Sequence, residues 1–289
     1  MSNYHGKHAK HKNKSQSRVF FWIGMACAVP ALVCAFFVGS FLAGALSARN
    51  VRLETIQTYV KPADSPEAAA EMVQEEQTLP AGESQPQPAA ETTAPTEPSR
   101  FPTIDFAGLQ EKNPDVVAWL QIPQLEVINY PVVLGEDNAH YANHSWEGEK
   151  SENGAIFLDF RNKGDFSQIH NVVYGHCMKD GSMFQSLGEW EKESVQKTGD
   201  RSLLLYLPEE TRVYEIFAVE RVNALDNRVF KMDYTAGNEW EEALKETVRV
   251  SYMDSEQTLS PDSEVLTLST CIGGSTRLVV HAVCLEKVK

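Results

Sequence analysis

Few residues in this sequence are of the kinds that build disulfide frameworks or metal centres. Five cysteines occur among 289 residues; two fall within an apolar run near the N-terminus, and the others are Cys177, Cys271 and Cys284. Three thiols cannot pair completely, so at least one is expected to be free. His176 and Cys177 are adjacent, but no second pair of ligands follows at zinc-like spacing. The sequence therefore predicts no metal site and no cofactor.

Clusters of basic residues are missing beyond the N-terminal end, and the net charge is -14 at pH 7. Because phosphate binding needs clustered lysine and arginine, this composition argues against a nucleic-acid partner. Residues 1–18 are basic and contain no acidic side chain, and residues 19–46 carry no charge. The uncharged run is long enough to cross a bilayer and longer than the core of a cleaved signal. We expect an uncleaved, single-pass membrane helix at 19–46, with 1–18 as a cytoplasmic tail and the rest outside.

Large apolar residues are scarce between 47 and 100, where proline, glutamate, alanine, glutamine and threonine dominate, as in PAGESQPQPAAETTAPTEPSR. A segment of this composition cannot bury enough apolar surface to fold, so the sequence predicts a disordered linker at 47–100. Residues 101–289 are then the folded extracytoplasmic domain. That domain lacks the internal repeats that would indicate a solenoid or a propeller.

Short β-branched and aromatic runs dominate the folded region. The runs are VINYPVVL, AIFLDF, NVVYGH, SLLLYL, RVYEIFAVERV, VLTLSTC and RLVVHAVCL, and turn-rich segments separate them. This pattern is typical of a barrel or a sandwich. The sequence therefore predicts a mainly β domain.

Two helices are expected among these strands. Asn113 resembles an N-cap that is followed by proline at the first helical position, which predicts a short helix through Trp119. Asn238 resembles the cap of a second helix, because a glutamate follows three residues later. The apolar face of this second helix consists of Trp240, Leu244 and Val248.

Cys271 is a candidate nucleophile. It ends the run VLTLSTC before Gly273 and Gly274, and strand alternation puts it on the same face as Ser269. A thiol at the end of a strand is accessible, although a buried cysteine that packs as a small apolar residue is an equally good interpretation. A nucleophilic cysteine reacts as the thiolate and needs a neighbouring base or cation.

Five histidines follow the apolar run and are candidates for that base. Three lie in polar, loop-like stretches and are expected at the surface: His140, His144 and His170. His176 closes the strand NVVYGH, and His281 lies within RLVVHAVCL, so both stay open as the base. Arg277 opens the last strand, where it is either an ordinary strand-edge arginine or a donor to a developing oxyanion.

Three segments resemble the catalytic signatures of sortases, and class B fits best: TLSTC at 267–271, YGHCMKDGSMF at 174–184 and RLVVHA at 277–282. Residues 119–162 are also similar to that class, and the likeness extends from about 106 to the C-terminus. The resemblance implies an eight-stranded sortase-like β-barrel with an N-terminal helix. It also implies that the helix around Trp240 is inserted between the sixth and seventh barrel strands.

The resemblance also implies roles for particular residues. Cys271 matches the nucleophile, His176 the general acid/base, and Arg277 the arginine that positions the substrate and stabilises the oxyanion, which decides against His281. Three further residues correspond to positions along the peptide groove, namely Asn138, Ala142 and Ser269.

The activity that the resemblance implies is that of a cysteine transpeptidase. Such an enzyme cleaves a C-terminal sorting motif, NPQTN-like or related, after threonine and transfers the acyl group to an amine of lipid II, which anchors surface proteins in the cell wall. Three alternatives stay open: a pilin lysine as the acceptor, hydrolysis by a cysteine peptidase, and a tethered binding module without activity.

Two features depart from the class. Only IGGST separates Cys271 from Arg277, which is shorter than the usual segment, so donor or acceptor preference could differ. Cys177 stands where relatives commonly have asparagine or histidine. A neutral local variant is the favoured interpretation of Cys177, and a regulatory disulfide with Cys271 is the alternative hypothesis.

Overall fold

The computed structural model describes residues 14–63 and 100–289, and at 14–31, 41, 198 and 271–273 it describes the backbone alone. The chain divides into two units, of which the first ends at Ala48 and the second runs from Arg49 to Lys289. Most of the predicted cytoplasmic tail and the predicted linker between 64 and 99 lie outside the described residues.

One long helix, α1, occupies Lys14–Tyr59. Its part Leu32–Tyr59 is long and apolar enough to cross a membrane, and its most apolar window is not buried within the structure. The predicted membrane helix at 19–46 thus falls within a continuous helix that fits a membrane anchor by length and composition.

The predicted start of the disordered linker at residue 47 is wrong. Helix α1 continues through Tyr59, and β1 (Val60–Lys61) pairs antiparallel with β2 (Thr103–Ile104). The physical reason is apolar packing at the end of α1 and the start of β1: Ile56 and Tyr59 of the helix and Val60 of the strand pack against the folded domain. Composition averaged over the whole segment concealed this short ordered part.

Eight strands close into a barrel in the order β10-β8-β7-β3-β4-β5-β6-β9. The strands are β3 (Val116–Gln121), β4 (Asn129–Val133), β5 (Ile156–Leu158), β6 (His170–Gly175), β7 (Ser202–Tyr206), β8 (Thr211–Asn223), β9 (Val265–Gly273) and β10 (Thr276–Val288). The pairs β4–β5 and β6–β9 are parallel, and the other neighbours are antiparallel. The predicted mainly β fold and all seven predicted strand runs are confirmed.

Four short helices accompany the barrel: α2 (Phe106–Lys112), a 3-10 helix (Gln185–Glu191), α3 (Glu193–Thr198) and α4 (Asn238–Val250). Helix α4 connects β8 to β9, which are the sixth and seventh barrel strands, as expected. Trp240 and Leu244 are buried on the face of α4 that packs against the outside of the barrel, and Val248 joins them.

Alternation along β9 and β10 separates the interior of the barrel from its outer face. Leu266 and Leu268 of β9 belong to the main core, together with Leu278 and Val280 of β10. The residues between them point outward because successive side chains of a strand face opposite sides. Arg277 is therefore on the outer face, at the end of the barrel where β9 turns into β10, and its Cα partner is Cys271.

Two predictions about helix ends are wrong. Asn113 ends α2 in an extended conformation, and Val116–Gln121 is a strand. The β-branched residues there favour the sheet over the helix that the asparagine-proline pair suggested. Asn238 is the first residue of α4 and makes no capping bond; the carbonyl of Gly237 accepts the first helical hydrogen bond, from Glu241, at 3.0 Å.

Gly175 provides a test of the packing at the end of β6. A Cβ atom there would lie 2.5 Å from Cδ1 of Ile156 and 2.7 Å from the Phe184 ring, both in the barrel core. We expect Gly175→Ala to destabilise the fold by about 1–3 kcal/mol because the core is already filled. Urea unfolding of the full chain in detergent measures the change. Gly188→Ala is the matched control, because a Cβ at Gly188 meets nothing within 4 Å. Equal stabilities of the two variants would contradict this packing.

Candidate active site

The parallel pairing of β6 and β9 brings the candidate histidine beside the candidate cysteine. Gly175 is the Cα partner of Thr270 in this pair. The residues that follow are His176 and Cys271. Because parallel strands run in the same direction, the backbones of these two residues lie side by side. Neighbouring strands lie about 4.8 Å apart. Residues far apart in sequence thus meet at one end of the barrel.

The hairpin between β9 and β10 brings the candidate arginine to the same place. Arg277 is the Cα partner of Cys271, whereas Thr276 is the partner of Gly273, so one residue of β9 bulges between the two pairs. A β-bulge re-aims neighbouring side chains and is frequent beside active sites. Gly274 has a φ of 54°, which suits the first position of a two-residue hairpin turn. The short IGGST segment is thus a tight hairpin.

The Arg277 side chain is half-buried and held at this turn. Its Nη1 donates hydrogen bonds to the carbonyls of Gly274 and Thr276, both at 3.3 Å. A guanidinium has five N–H donors, so the two main-chain bonds leave others for an anion.

His176 is oriented by a carbonyl from a neighbouring loop. Its Nε2 lies 2.7 Å from the oxygen of Ala142. Because a carbonyl only accepts, Nε2 carries a hydrogen in this geometry, and Nδ1 is the nitrogen that can exchange a proton. Gly154 makes this close approach possible: its φ is 61°, and a Cβ atom would lie 3.0 Å from the Ala142 oxygen and 3.1 Å from the His176 ring. Ala142, predicted to line the groove, thus also contacts the candidate acid/base.

A buried carboxylate ties together three side chains near this histidine. Asp159 has no exposed surface, and it accepts hydrogen bonds from Asn138 (3.0 Å) and Tyr174 (2.9 Å) and a bidentate pair from Arg161 (both 2.8 Å). Burial alone would raise the pKa of Asp159, but these donors outweigh it and hold the pKa below its usual value. Asp159 is therefore a fixed negative charge that orders its neighbours.

The other two predicted groove residues lie close to this group. The Asn138 amide oxygen accepts from the backbone N–H of Phe160 at 3.0 Å, so its amide links two segments of the protein. Ser269 is the β9 partner of Tyr174 and only 1% exposed. Its hydroxyl makes no hydrogen bond to the described part of the chain.

His281, the rival candidate base, lies elsewhere. It pairs with Thr267, four residues before Cys271 along β9 and therefore roughly 13 Å from it. Its ring is 3% exposed and is hydrogen-bonded to Thr267 and to Glu220. Arg228 donates two hydrogen bonds to the same glutamate. His281 is thus part of a buried polar network beneath α4.

His170 belongs to the same network, so the prediction that it lies at the surface is wrong. It is 2% exposed, its Nε2 lies 3.0 Å from the Thr267 hydroxyl, and the Trp240 ring packs 5.1 Å away. Burial lowers the pKa of His170 to about 4, which keeps the ring neutral at pH 7. The polar residues around it in sequence gave no sign of this burial.

The remaining candidates take no part in this arrangement. His140 is exposed and stacks on the half-buried His144, with ring centroids 4.1 Å apart. Cys177 is exposed beside the site, and Cys284 is half-buried near the far end of β10. In the parts of the chain that the structure describes, no three or more histidine, cysteine, aspartate or glutamate side chains are grouped to hold a metal.

Known proteins are similar to this chain in sequence and in fold. A family model described as the sortase domain matches residues 120–285, which is more than half of the chain. Sortase B of Listeria monocytogenes is 33% identical over 176 residues, which cover 58% of this chain and 67% of that protein. This chain belongs to the class B sortases. It is thus a cysteine transpeptidase of the sortase B type.

Solved sortase structures agree with this membership. Sortase B of Clostridium perfringens matches with a TM-score of 0.58 and 30% identity over 62% of this chain and 99% of that chain. A Staphylococcus aureus sortase B–substrate complex matches with a TM-score of 0.59 and 27% identity over 63% of this chain and 85% of that chain. The eight-stranded sortase barrel and the inserted helix are confirmed.

Sequence reasoning missed two residues that lie near the candidate site, Tyr174 and Asp159. Tyr174 of β6 lies two residues before His176. Strand alternation alone would have predicted that the two side chains are on the same face. Asp159 is the lone carboxylate in the apolar run AIFLDF. This position could have indicated a hydrogen-bonded carboxylate, because a charge within a buried strand needs partners.

The buried histidine predicts a loss of stability in acid. Its folded pKa is about 4 and its ordinary value 6.5, so the unfolded chain binds more protons between these limits. Stability is therefore fully present above about pH 6.5 and falls as the pH drops towards 4, by on the order of 3 kcal/mol. Urea unfolding from pH 7 to 4 measures this, and His170→Gln should show a flatter dependence. Equal slopes for both proteins would contradict the buried, neutral state of His170.

Proposed function

We propose that Cys271 is the nucleophile of this sortase, that His176 is its general acid/base, and that Arg277 stabilises the oxyanion. The observation that carries this assignment is the strand register. Parallel pairing leads His176 and Cys271 out of the sheet together, and the hairpin sets Arg277 opposite Cys271. Proximity and orientation of this kind supply much of the rate enhancement in acyl transfer.

The first half-reaction forms a thioester. The Cys271 thiolate attacks the carbonyl carbon of the scissile peptide bond, and the negative charge moves to the carbonyl oxygen, where an Arg277 N–H donates to it. The tetrahedral intermediate then collapses, the C–N bond breaks, and His176 gives a proton to the leaving nitrogen. The acyl part of the substrate stays on the sulfur.

The second half-reaction transfers this acyl group to an amine. The amine nitrogen attacks the thioester carbon, His176 takes the proton that the nitrogen releases, and the C–S bond breaks to regenerate the thiolate. Water in place of the amine would give hydrolysis through the same steps. The nature of the acceptor therefore separates transpeptidase from peptidase.

The proposed donor is a C-terminal sorting motif, NPQTN-like or related, which is cleaved after its threonine. A sortase B solved as a substrate complex is among the similar structures, which supports a peptide donor. We place the peptide along the outer face of β6 and β9, next to Asn138, Ala142 and Ser269. Asn138 and Ala142 are partly exposed there, whereas Ser269 is only 1% exposed and lies beneath that surface.

The proposed acceptor is an amine of the cell-wall precursor lipid II, so that the enzyme anchors surface proteins. Helix α1 supports this proposal because its apolar part fits a membrane anchor. The basic residues before the span favour an N-terminus in the cytoplasm and a catalytic domain outside the cell. Both substrates would then reach the enzyme at the outer membrane surface.

Replacement of the nucleophile gives a direct test. We expect Cys271→Ala to abolish cleavage of fluorogenic peptides with NPQTN-like or LPXTG-like motifs, because the proposed acyl-enzyme forms on the Cys271 sulfur. The full chain in detergent micelles is incubated with each peptide, and the initial rate is measured. Cys177→Ala is the matched control and should retain activity. Turnover by Cys271→Ala at the wild-type rate would contradict the assignment.

The products of the same reactions identify the acceptor. With glycine-based or lysine-bearing amines added, mass spectrometry should find a peptide joined to the amine in excess over the hydrolysed acid. Preference for a lysine-bearing pilin peptide would move the proposal to pilus assembly. Hydrolysed acid alone, at every amine concentration, would make the protein a peptidase.

A further inference from the structure

The end of helix α1 belongs to the same compact unit as the barrel. This unit begins at Arg49. Arg52, Ile56 and Tyr59 recur at helical spacing and form one face. Nη1 of Arg52 donates to the carbonyl of Val127 at 3.2 Å, and Ile56 and Tyr59 pack into an apolar cluster of the domain. This segment, Arg49–Lys61, is called here the docking segment.

Main-chain hydrogen bonds fix the docking segment at its end. Val60 pairs with Ile104 in the short β1–β2 ladder, and the N–H of Asp105 donates to the carbonyl of Tyr59 at 2.9 Å. The side chain of Asp105 in turn caps α2 by accepting from Gly108 at 2.9 Å. The position of the Tyr59 ring is therefore set by the fold of the domain.

Tyr59 contacts the loop that orients His176. Its ring meets the Trp146 ring edge to face, with centroids 5.7 Å apart and an interplanar angle of 86°. Aromatic pairs in this geometry are favourable beyond the area they bury. Trp146 lies four residues after Ala142, whose carbonyl holds Nε2 of His176 at 2.7 Å.

The loop between Tyr59 and His176 is held firmly at its other contacts. Asn113 donates to the Trp146 carbonyl and to the Tyr141 hydroxyl, and that hydroxyl donates to Asp115 at 2.7 Å. Tyr59, Tyr141, Ala142 and Trp146 all belong to one apolar cluster. A displacement of Trp146 would therefore reach the Ala142 carbonyl through packed side chains.

We propose that the docking segment supports the active site. Tyr59 contacts Trp146 and thereby holds the loop whose Ala142 carbonyl orients His176. Tyr59 is thus a positioning residue for the transpeptidase reaction. The chain that follows the apolar span would act as more than a tether, because it contacts the loop that sets the acid/base. This inference rests on the proposed role of His176.

The test uses the full chain in detergent micelles. We expect Tyr59→Ala to lower kcat about tenfold with KM for the sorting peptide nearly unchanged, because a small displacement of His176 slows proton transfer more than peptide binding. Tyr59→Phe keeps the ring and should restore kcat. Thr58→Ala is the matched control, since Thr58 is exposed on the same turn.

Three further measurements separate positioning from a loss of folding. Melting curves verify that each variant is folded at the assay temperature. Long-range ¹H–¹⁵N spectra of histidine-labelled protein report the tautomer of His176, which should be Nε2–H in the wild type and mixed in Tyr59→Ala. The double variant Tyr59→Ala, Trp146→Ala should be no slower than Trp146→Ala alone, because both changes break one contact.

The outcomes distinguish this inference from the proposed function. If the wild type turns over and His176→Ala does not, while Tyr59→Ala has wild-type kcat and tautomer, the docking segment has no positioning role. A kcat loss that Tyr59→Phe does not restore would also overturn it. If His176→Ala is as active as the wild type, the proposed function itself fails.

Discussion

The parallel pairing of β6 with β9 is the constraint on which the rest of the structure depends. Parallel neighbours cannot be joined by a tight turn, so the chain between Gly175 and Val265 must cross over before it pairs. That crossover supplies two barrel strands, β7 and β8, and the helix α4, which packs on the outer face of the barrel. The same pairing brings the backbones of His176 and Cys271 side by side.

Hydrogen-bonded polar groups lie close to those strand ends. The Ala142 carbonyl holds His176, and the Asp159 carboxylate orders Asn138 and Tyr174. Buried polar groups are costly unless they are hydrogen-bonded, so each of these contacts also restricts the fold to one arrangement. The same logic applies to the network beneath α4, where Thr267 lies between two buried histidines. Stability and the geometry of the site are thus provided by the same contacts.

The sequence predicted the strands well because β-branched runs bounded by turn residues leave few alternatives. Strand alternation and spacing predict Cys271 at a strand end but leave two histidines open. The family resemblance favours His176, which follows the strand that pairs with β9. Other features depend on tertiary contacts that no local pattern reports. His170 lies beside Gln168 and Asn171 in sequence yet is buried, and Tyr59 ends a helix that fits a membrane anchor yet packs against the folded domain.

The register of β6, β9 and β10 leads us to propose that Cys271 carries the acyl group. Peptide mapping of the full chain, quenched with acid after incubation with a sorting-motif peptide and no amine, tests it most directly. We expect an adduct with the mass of the peptide up to its threonine on the tryptic fragment that contains Cys271. An adduct on the fragment of Cys177 or Cys284, or cleavage without any adduct on Cys271, would contradict it.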